Sequence, residues 1–455
     1  MNNIKPYTKY KPTGIAWLGD IPEQWEVKKV KHLFTVQRGR VIPNTDLVDN
    51  GIYPVYSSQT KNKGKLGCIN TYDYDGEYIS WTTDGVYAGT TFVRKGKFNA
   101  TNICGLLKLR VENRIDFFGH LFSHIIPYNK RPDTNGAKIM SNEMKDIHFV
   151  IPSLPEQTVI ASFLDYKTAK IDRFIRKKKQ LIKLLNEQKA AIINDAVTKG
   201  LNPKTKMKPS GIEWLGDIPE HWEVRKLKYV AVSVLGKMLC NEDKGGYSKK
   251  PYLKSKNVQW LNVDVSDVEE MWFSDRELIQ YRLKRGDLVL SEGGEVGKTC
   301  LWNEEIEECY IQNSVHKVTV NTENVAEFYL YLFFLYGNKG VFESITNKVS
   351  IGHLTKDKLI NLKCLCPPLS EQTAIVSHIE KETTILNATI ATIEKEIALV
   401  QEYRTALVAE AVTGKIDVRE YVFPNVAEEE TYEELEEELD IAAEDEAEYQ
   451  KQETE

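Results

Sequence analysis

Two long stretches of the chain share a seven-residue spacing of apolar positions, unbroken in the second copy and interrupted once, at Lys178, in the first. Between Leu369 and about Thr413 these are Ile379, Leu386, Ile393, Val400 and Leu407. Between Leu154 and about Thr198 the matching positions hold Leu164, Ile171, Lys178, Leu185 and Ile192. Adjoining positions hold Phe174, Ile175, Leu181 and Ile182 in one copy, and Ile390, Ile397 and Tyr403 in the other. A Glu-Gln pair (Glu156-Gln157, Glu371-Gln372) leads into each run, which then contains no Pro or Gly, and the offset between copies is 215 throughout. A heptad pattern sustained this long predicts a coiled-coil helix rather than a surface helix. Some 40 residues rising 1.5 Å each make a rod of roughly 60 Å. A lone helix of this kind leaves its stripe in water, so each copy needs a partner, and the economical one is the other copy.

A second repeat frames the first. Gly14-Ile15, Trp17-Leu18-Gly19-Asp20-Ile21-Pro22 and Trp25 return as Gly211-Ile212, Trp214-Leu215-Gly216-Asp217-Ile218-Pro219 and Trp222. This offset is 197, so the second intervening stretch is 18 residues longer. The glycines and prolines of this opening motif mark tight turns, and its tryptophans anchor a local core. The chain therefore divides into an opening motif (1–25), a globular stretch (26–153), a long helix (154–200), a linker with the repeated motif (201–222), a second globular stretch (223–368), a second long helix (369–418) and a tail (419–455). Residues 78–82, 91–94, 106–111 and 147–151 read as strands and 117–126 as a helix. In the second half 287–291, 299–302 and 314–320 read as strands and 326–336 as a helix. The fold class is α+β, a tandem repeat with approximate twofold symmetry. Beyond the repeats the two globular stretches are hard to align by eye, which suggests one job done twice on two targets.

Charge changes this picture in one respect. The formal net charge is −6, yet the last 30 residues carry 15 acids and one lysine, leaving 59 basic against 51 acidic residues in the body. A modestly basic body is compatible with nucleic acid. The tail reads as disordered and solvated, with a DNA-mimicking or partner-docking segment as the alternative. The seven cysteines form no CxxC pair, no secretory signal is present, and the longest apolar stretch, 329–336, is too short for a bilayer. Free thiols in a reducing cytoplasm are the expectation.

Catalytic motifs fail on inspection. The run 291–299 resembles a phosphate loop, but the required glycine five before Gly297 is Glu292, an acid where an anion would sit. Asp133 followed by Glu143 and Lys145 matches a degenerate Mg-dependent nuclease pattern, which keeps an enzyme reading open. No amino-methyltransferase motif, zinc-ligand spacing or Ser-His-Asp set is found. What remains is recognition chemistry. In the first globular stretch Arg38, Arg40, Tyr56, Ser57, Ser58, Lys61, Trp81, Thr82, Thr83, Lys130, Arg131, Asn135 and Lys138 are candidate DNA contacts. In the second they are Lys237, Lys249, Lys250, Lys254, Lys256, Glu292, Gly293, Gly294, Asn313, Lys348 and His353. Lysine and arginine neutralise phosphates, and amides, hydroxyls and carboxylates read base edges.

The paired opening motifs, with Pro152-Ser153-Leu154-Pro155-Glu156-Gln157 and Pro367-Pro368-Leu369-Ser370-Glu371-Gln372 at the start of each rod, resemble the specificity subunit of type I restriction–modification systems over most of residues 9–418. The resemblance implies two target-recognition domains, each reading half of a split DNA sequence, held apart by two antiparallel helices. It also implies two modification subunits that bind S-adenosylmethionine, and restriction subunits that use ATP and Mg²⁺. This chain would itself be non-catalytic. A coiled-coil structural protein without DNA contact is the third reading.

Overall fold

The computed structural model describes residues 5–134, 136–346 and 352–423. Asn135, Lys348 and the acidic segment from Pro424 lie outside them. The chain forms two compact units, one comprising Met1–Arg176 with Glu396–Glu455 and the other Lys177–Lys395. Each long helix, Leu154–Lys199 and Leu369–Val412, thus gives part of its length to either unit.

In the first unit a six-stranded sheet runs in the order Phe34–Arg38, Cys104–Leu109, Tyr74–Thr82, Thr91–Ala100, Tyr53–Tyr56, Lys65–Ile69. The first four are antiparallel neighbours, and Tyr53–Tyr56 joins Thr91–Ala100 in parallel. Helix Ile115–Ile125 lays Ile115, Phe118, Leu121, Phe122 and Ile125, spaced three and four apart, into the core. Phe34 meets Phe118, Phe122 and Phe149 edge-on at 5.2, 5.4 and 6.0 Å. The second unit has Ala231–Leu235, Val315–Val320, Leu288–Ser291 and Thr299–Leu301 in one antiparallel sheet, with helix Ala326–Asn338 in its core. This order is the same, strand for strand, as the first four strands of the first unit. The two stretches that resist alignment as sequences share one topology.

Every predicted strand and helix has an observed counterpart, most of them shifted or extended at their ends. The strand predicted at 91–94 continues to Ala100. Strands Tyr53–Tyr56 and Ser248–Leu253, which hold the candidate contacts Tyr56, Lys249 and Lys250, are not among the strands expected from sequence, because Pro and Lys inside them mask the alternation.

The insert is closed at its base in both units. Glu26–Lys29 pairs antiparallel with His148–Ile151, Glu26 opposite Ile151. Glu223–Lys226 pairs with Lys363–Cys366, Glu223 opposite Cys366. Chain therefore enters and leaves each globular stretch at one place, immediately before a long helix begins.

The Glu-Gln pair does its work at that junction. Gln157 is fully buried: its Oε1 accepts the Arg114 N–H (3.0 Å), and its Nε2 donates to Asn113 Oδ1 (2.8 Å) and the Pro152 carbonyl (3.0 Å). Gln372 repeats this with the Val325 N–H (2.8 Å), Asn324 Oδ1 (2.9 Å) and the Pro367 carbonyl (2.9 Å). Each glutamine ties the start of a long helix to the residues just before the domain helix. The neighbouring acid holds the opening motif. Trp25 Nε1 donates to Glu156 (3.3 Å) and Trp222 Nε1 to Glu371 (2.9 Å). Behind Trp25 lies Gly414, where a Cβ would stand 2.4 Å from Pro22 and 3.2 Å from the indole. Behind Trp222 lies Gly200, with a Cβ 3.2 Å from that ring. Both glycines end a long helix with positive φ, the conformation that favours glycine there.

Each unit therefore holds the start of one long helix and the end of the other, which makes the pair antiparallel. In the first, Ile160, Ala161 and Leu164 share a core with Leu407, Ala411 and Val412. In the second, Ile193, Ala196 and Val197 share one with Ile375, Val376 and Ile379. Arg404 meets Asp172 at 3.4 Å and Lys189 meets Asn387 at 2.8 Å; both pairs of numbers total 576, one register. Of the heptad set, Leu164, Ile171, Ile379, Ile393 and Leu407 are buried, and Leu185, Ile192, Leu386 and Val400 are half-buried. Phe174, Leu181 and Tyr403, expected beside the seam, are instead exposed. Two helices bury one stripe each and leave its flanks open.

Removing the buried amide should cost stability at either junction. Gln157→Ala and Gln372→Ala are each expected to lower unfolding free energy by about 1–3 kcal/mol, through backbone and side-chain groups left unpaired. Thr373→Ala, on the exposed side of the same helix, should stay within about 0.5 kcal/mol. The urea midpoint measures both.

Candidate nucleic-acid interface

Equivalent edges of the two units gather the predicted recognition residues. In the first unit the chain leaves strand Phe34–Arg38 through Gly39, which crosses the end of the sheet. A Cβ there would lie 2.3 Å from the Ala100 and Thr101 carbonyl oxygens, so only glycine fits. Arg40 follows, bridged in parallel to Thr101. In the second unit Gly236 makes the same crossing, 2.4 Å from the Gln312 oxygen, and Lys237 is bridged to Gln312. The Gly-cation dipeptide is the one sequence signal that marks this edge in both halves.

Around the first crossing, Arg38 Nε donates to the Asn102 carbonyl (2.6 Å) and Arg40 pairs with Asp73 (2.8 Å). Ser57 Oγ lies 3.2 Å from Thr101 Oγ1, and the Thr101 N–H donates to the Tyr56 carbonyl (2.9 Å). Arg38, Arg40, Tyr56 and Ser57 thus converge on residues 100–102. Ser58 follows, and then Lys61 at the start of the turn Lys61–Gly64, where Asn62 and Lys63 adopt positive φ. Beneath that turn lies Arg94, 4% exposed, with its guanidinium 3.6 Å over the Tyr56 ring and Nε on Ser80 Oγ at 2.9 Å. Among the described residues no carboxylate pairs with it, and burial lowers it to about 10. Sequence reasoning passed over Arg94, which sits mid-strand and supports the recognition turn from below.

Trp81, Thr82 and Thr83 require correction: all three are buried. Strand Tyr74–Thr82 carries Trp81 and Thr82 into the core and Thr83 follows directly; there Trp81 Nε1 donates to the Ile139 carbonyl (3.0 Å) and Gly105 makes room for the indole. Their role is to carry the hairpin Arg131–Asp133 and Gly136–Lys138, since the Ile139 N–H donates to the Thr83 carbonyl at 2.8 Å. Lys130 is exposed at its base. Arg131 pairs with Glu143 (2.6 Å), and Lys138 lies 3.9 Å from Asp133. The same Glu143 accepts the Met140 N–H at 2.6 Å, and these partners hold it below the usual carboxylate range. Glu143 is thus engaged as a helix cap. Among the described residues no group of three or more His, Cys, Asp or Glu could hold a metal ion.

Around the second crossing the cations are paired. Lys237 meets Glu277 at 2.5 Å, Lys249 meets Glu270 at 3.4 Å and Lys250 meets Glu308 at 2.5 Å. Lys254 bonds Glu269, and Lys256 bonds Asp267. By contrast Arg38, Lys61, Lys63 and Lys130 of the first unit form no ion pair among the described residues, and all are exposed. The centre of the second edge is polar and uncharged: Ser255 Oγ donates to the Ser314 carbonyl (2.8 Å), and the Asn313 N–H donates to the Lys237 carbonyl (2.9 Å). The Glu292 N–H donates to the Ser314 carbonyl (2.8 Å), placing the turn with Gly293 and Gly294 beside them. Glu292 meets His353 Nδ1 at 3.0 Å. Gly297 fits against Phe342, where a Cβ would stand 2.2 Å from the ring, and Lys298 is taken by Glu295 and Gln259. That turn is built for packing rather than for a phosphate.

All seven cysteines are free thiols. Among the described residues no helix is long and apolar enough to cross a membrane.

A family model described as the type I restriction modification DNA specificity domain matches residues 22–184 and again 219–399. The MpnII specificity subunit of a type I restriction enzyme from Mycoplasma pneumoniae is 39% identical over 142 residues, which is 31% of this chain and 43% of that relative. The MjaVIII specificity subunit from Methanocaldococcus jannaschii is 25% identical over 440 residues, 89% of this chain and 95% of the relative. A solved chain from a study of complex assembly and conformational transition of the type I R-M system superposes with a TM-score of 0.61 at 13% identity, covering 86% of this chain and 98% of that one; it supports the fold alone.

His316 gives the second unit a pH dependence. It is fully buried, with Nε2 2.7 Å from the Leu354 carbonyl and Nδ1 without a partner among the described residues. Burial lowers its proton affinity below that of an ordinary imidazole. Below about pH 6.5 the unfolded chain therefore binds the proton first, and stability falls as pH drops through that window. The loss in urea midpoint between about pH 7.5 and 5.5 should be smaller in His316→Gln than in the parent chain.

Proposed function

Since this chain belongs to the type I restriction modification DNA specificity family, we propose that it reads a DNA target in two separated parts, one with each unit. The observation that carries this reading is the repeated edge. Two inserts that are hard to align as sequences share one strand order, one Gly-cation crossing and one junction to a long helix, yet present different side chains. That is what one docking geometry applied to two base sequences requires.

In the first unit Arg38, Lys61, Lys63 and Lys130 supply phosphate contacts, and Ser57, Ser58 and Tyr56 face the bases. In the second unit the lysines reach DNA as members of ion pairs, so they add little long-range attraction. Discrimination there falls to Asn313, Glu292 and the hydroxyls beside them. A carboxylate accepts from the amino group of cytosine, and an amide reads adenine by two bonds. Carrying both readers on one polypeptide makes the second contact effectively intramolecular.

The chain contributes recognition and scaffolding, not catalysis. Methylating a base in duplex DNA requires flipping it out of the stack. That step belongs to two modification subunits that bind S-adenosylmethionine, seated along the long helices, and cleavage belongs to restriction subunits that use ATP and Mg²⁺.

Replacing residues 223–368 by the corresponding insert of another family member tests the assignment. The antiparallel base strands let the insert be exchanged without touching either long helix. Mapping methylated positions in DNA from cells carrying the hybrid and its modification partner should show one half of the target changed and the other kept. Changes in both halves, or in neither, contradict the reading.

A further inference from the structure

The acidic segment takes no part in the function above, but the path of the chain leading to it is defined. After the second long helix, Val418 is buried and Arg419 lies 4.0 Å from Glu156. Tyr421 then meets Phe163, with ring centroids 4.8 Å apart, and Phe423 meets Tyr166 at 5.7 Å. The partners on the first long helix rise from 156 to 163 to 166, so the chain travels along that helix towards its C-terminal end. The face it follows is aromatic and basic. Lys167 lies 5.2 Å over the Tyr421 ring and Lys170 4.7 Å over that of Tyr166. Lys170 and Arg173 stand four and seven residues beyond Tyr166, on one side of the helix. Phe174 beside them is 40% exposed.

The acids begin where this path leads. Five residues, from Pro424 to Glu428, span roughly 17 Å when extended. Tyr166 to Arg173 is roughly 10 Å along the helix. The chain therefore has length to bring Glu428, Glu429 and Glu430 beside Lys170 and Arg173, with Glu433 and Glu434 next. Single exposed pairs of this kind are weak. Tethering raises their effective concentration, and several act together.

We propose that the acidic segment from Glu428 docks in cis on the 166–174 face of the first long helix, where its carboxylates cover Lys170 and Arg173. It acts as an internal polyanion that other acidic molecules must displace to reach this face.

The test uses the full chain. Acetylation of Lys170 by an amine-reactive ester is followed by mass spectrometry, with exposed Lys204 as the internal reference. Neutralising Glu428, Glu429, Glu430, Glu433 and Glu434 to glutamine should speed Lys170 acetylation at least about fivefold relative to Lys204, as a tethered set of weak pairs would give. In the parent chain about 0.5 M salt should do the same, because screening then acts within a few ångströms. Carbodiimide should join Lys170 to Glu428, Glu429 or Glu430 within one chain. Unchanged Lys170 reactivity in the neutralised variant overturns the proposal. So does cross-linking that, in a mixture of isotopically light and heavy protein, joins only different copies.

Discussion

A buried indole N–H held by a glutamate, made once in each unit, is the contact on which the architecture turns. Trp25 on Glu156 and Trp222 on Glu371 fasten the opening motif to the first turn of a long helix. The glutamine that follows each acid fastens the same turn to the domain insert. The glycine behind each indole admits the end of the other long helix. Three pieces of chain that are distant in sequence thus meet at one tryptophan. A hydrogen bond to a charged acceptor contributes about 1.5–3 kcal/mol, and the amide beside it leaves several groups unpaired if removed. These junctions let the inserts diverge, because nothing in the frame depends on what an insert presents at its far edge.

The inserts show how far that divergence goes. Phe34–Arg38 and Ala231–Leu235 occupy the same place in their sheets, as do Cys104–Leu109 and Val315–Val320, with no shared pattern beyond alternation. What survives is the glycine before a cation, because there the backbone passes within contact of a neighbouring strand end. Arg40 and Lys237 inherit the same position and each finds a carboxylate, Asp73 and Glu277. The common geometry sets where the side chains point, and their identities differ.

Repeats and heptads made the frame legible from sequence: offsets of 197 and 215 locate the junctions, and seven-residue spacing locates the buried stripe. The antiparallel direction needed either the family resemblance or the coordinates, since a heptad pattern serves both directions. The candidate site was less legible. Runs of lysine at 249–256 look like phosphate contacts when read alone, but their carboxylates, Asp267, Glu269, Glu270 and Glu308, arrive from other segments. Trp81, Thr82 and Thr83 look like recognition chemistry because an indole and two hydroxyls follow one another, but the end of strand Tyr74–Thr82 and the residue after it are buried. Arg94 carries no local signal at all; its significance comes from the Tyr56 turn folded over it.

Under this account the antiparallel helices are a spacer whose length sets the unread gap between two half-sites. Deleting residues 178–184 and 392–398 together removes one heptad from each helix, keeps the apolar phase and preserves the register in which paired positions total 576. Seven residues are roughly 10 Å of helix, or about three base pairs of duplex. Mapping methylated bases with the shortened chain and its modification partner is the most direct measurement. The account predicts two half-sites of unchanged sequence separated by a gap about three base pairs shorter. An unchanged gap, or a single uninterrupted target word, would contradict it.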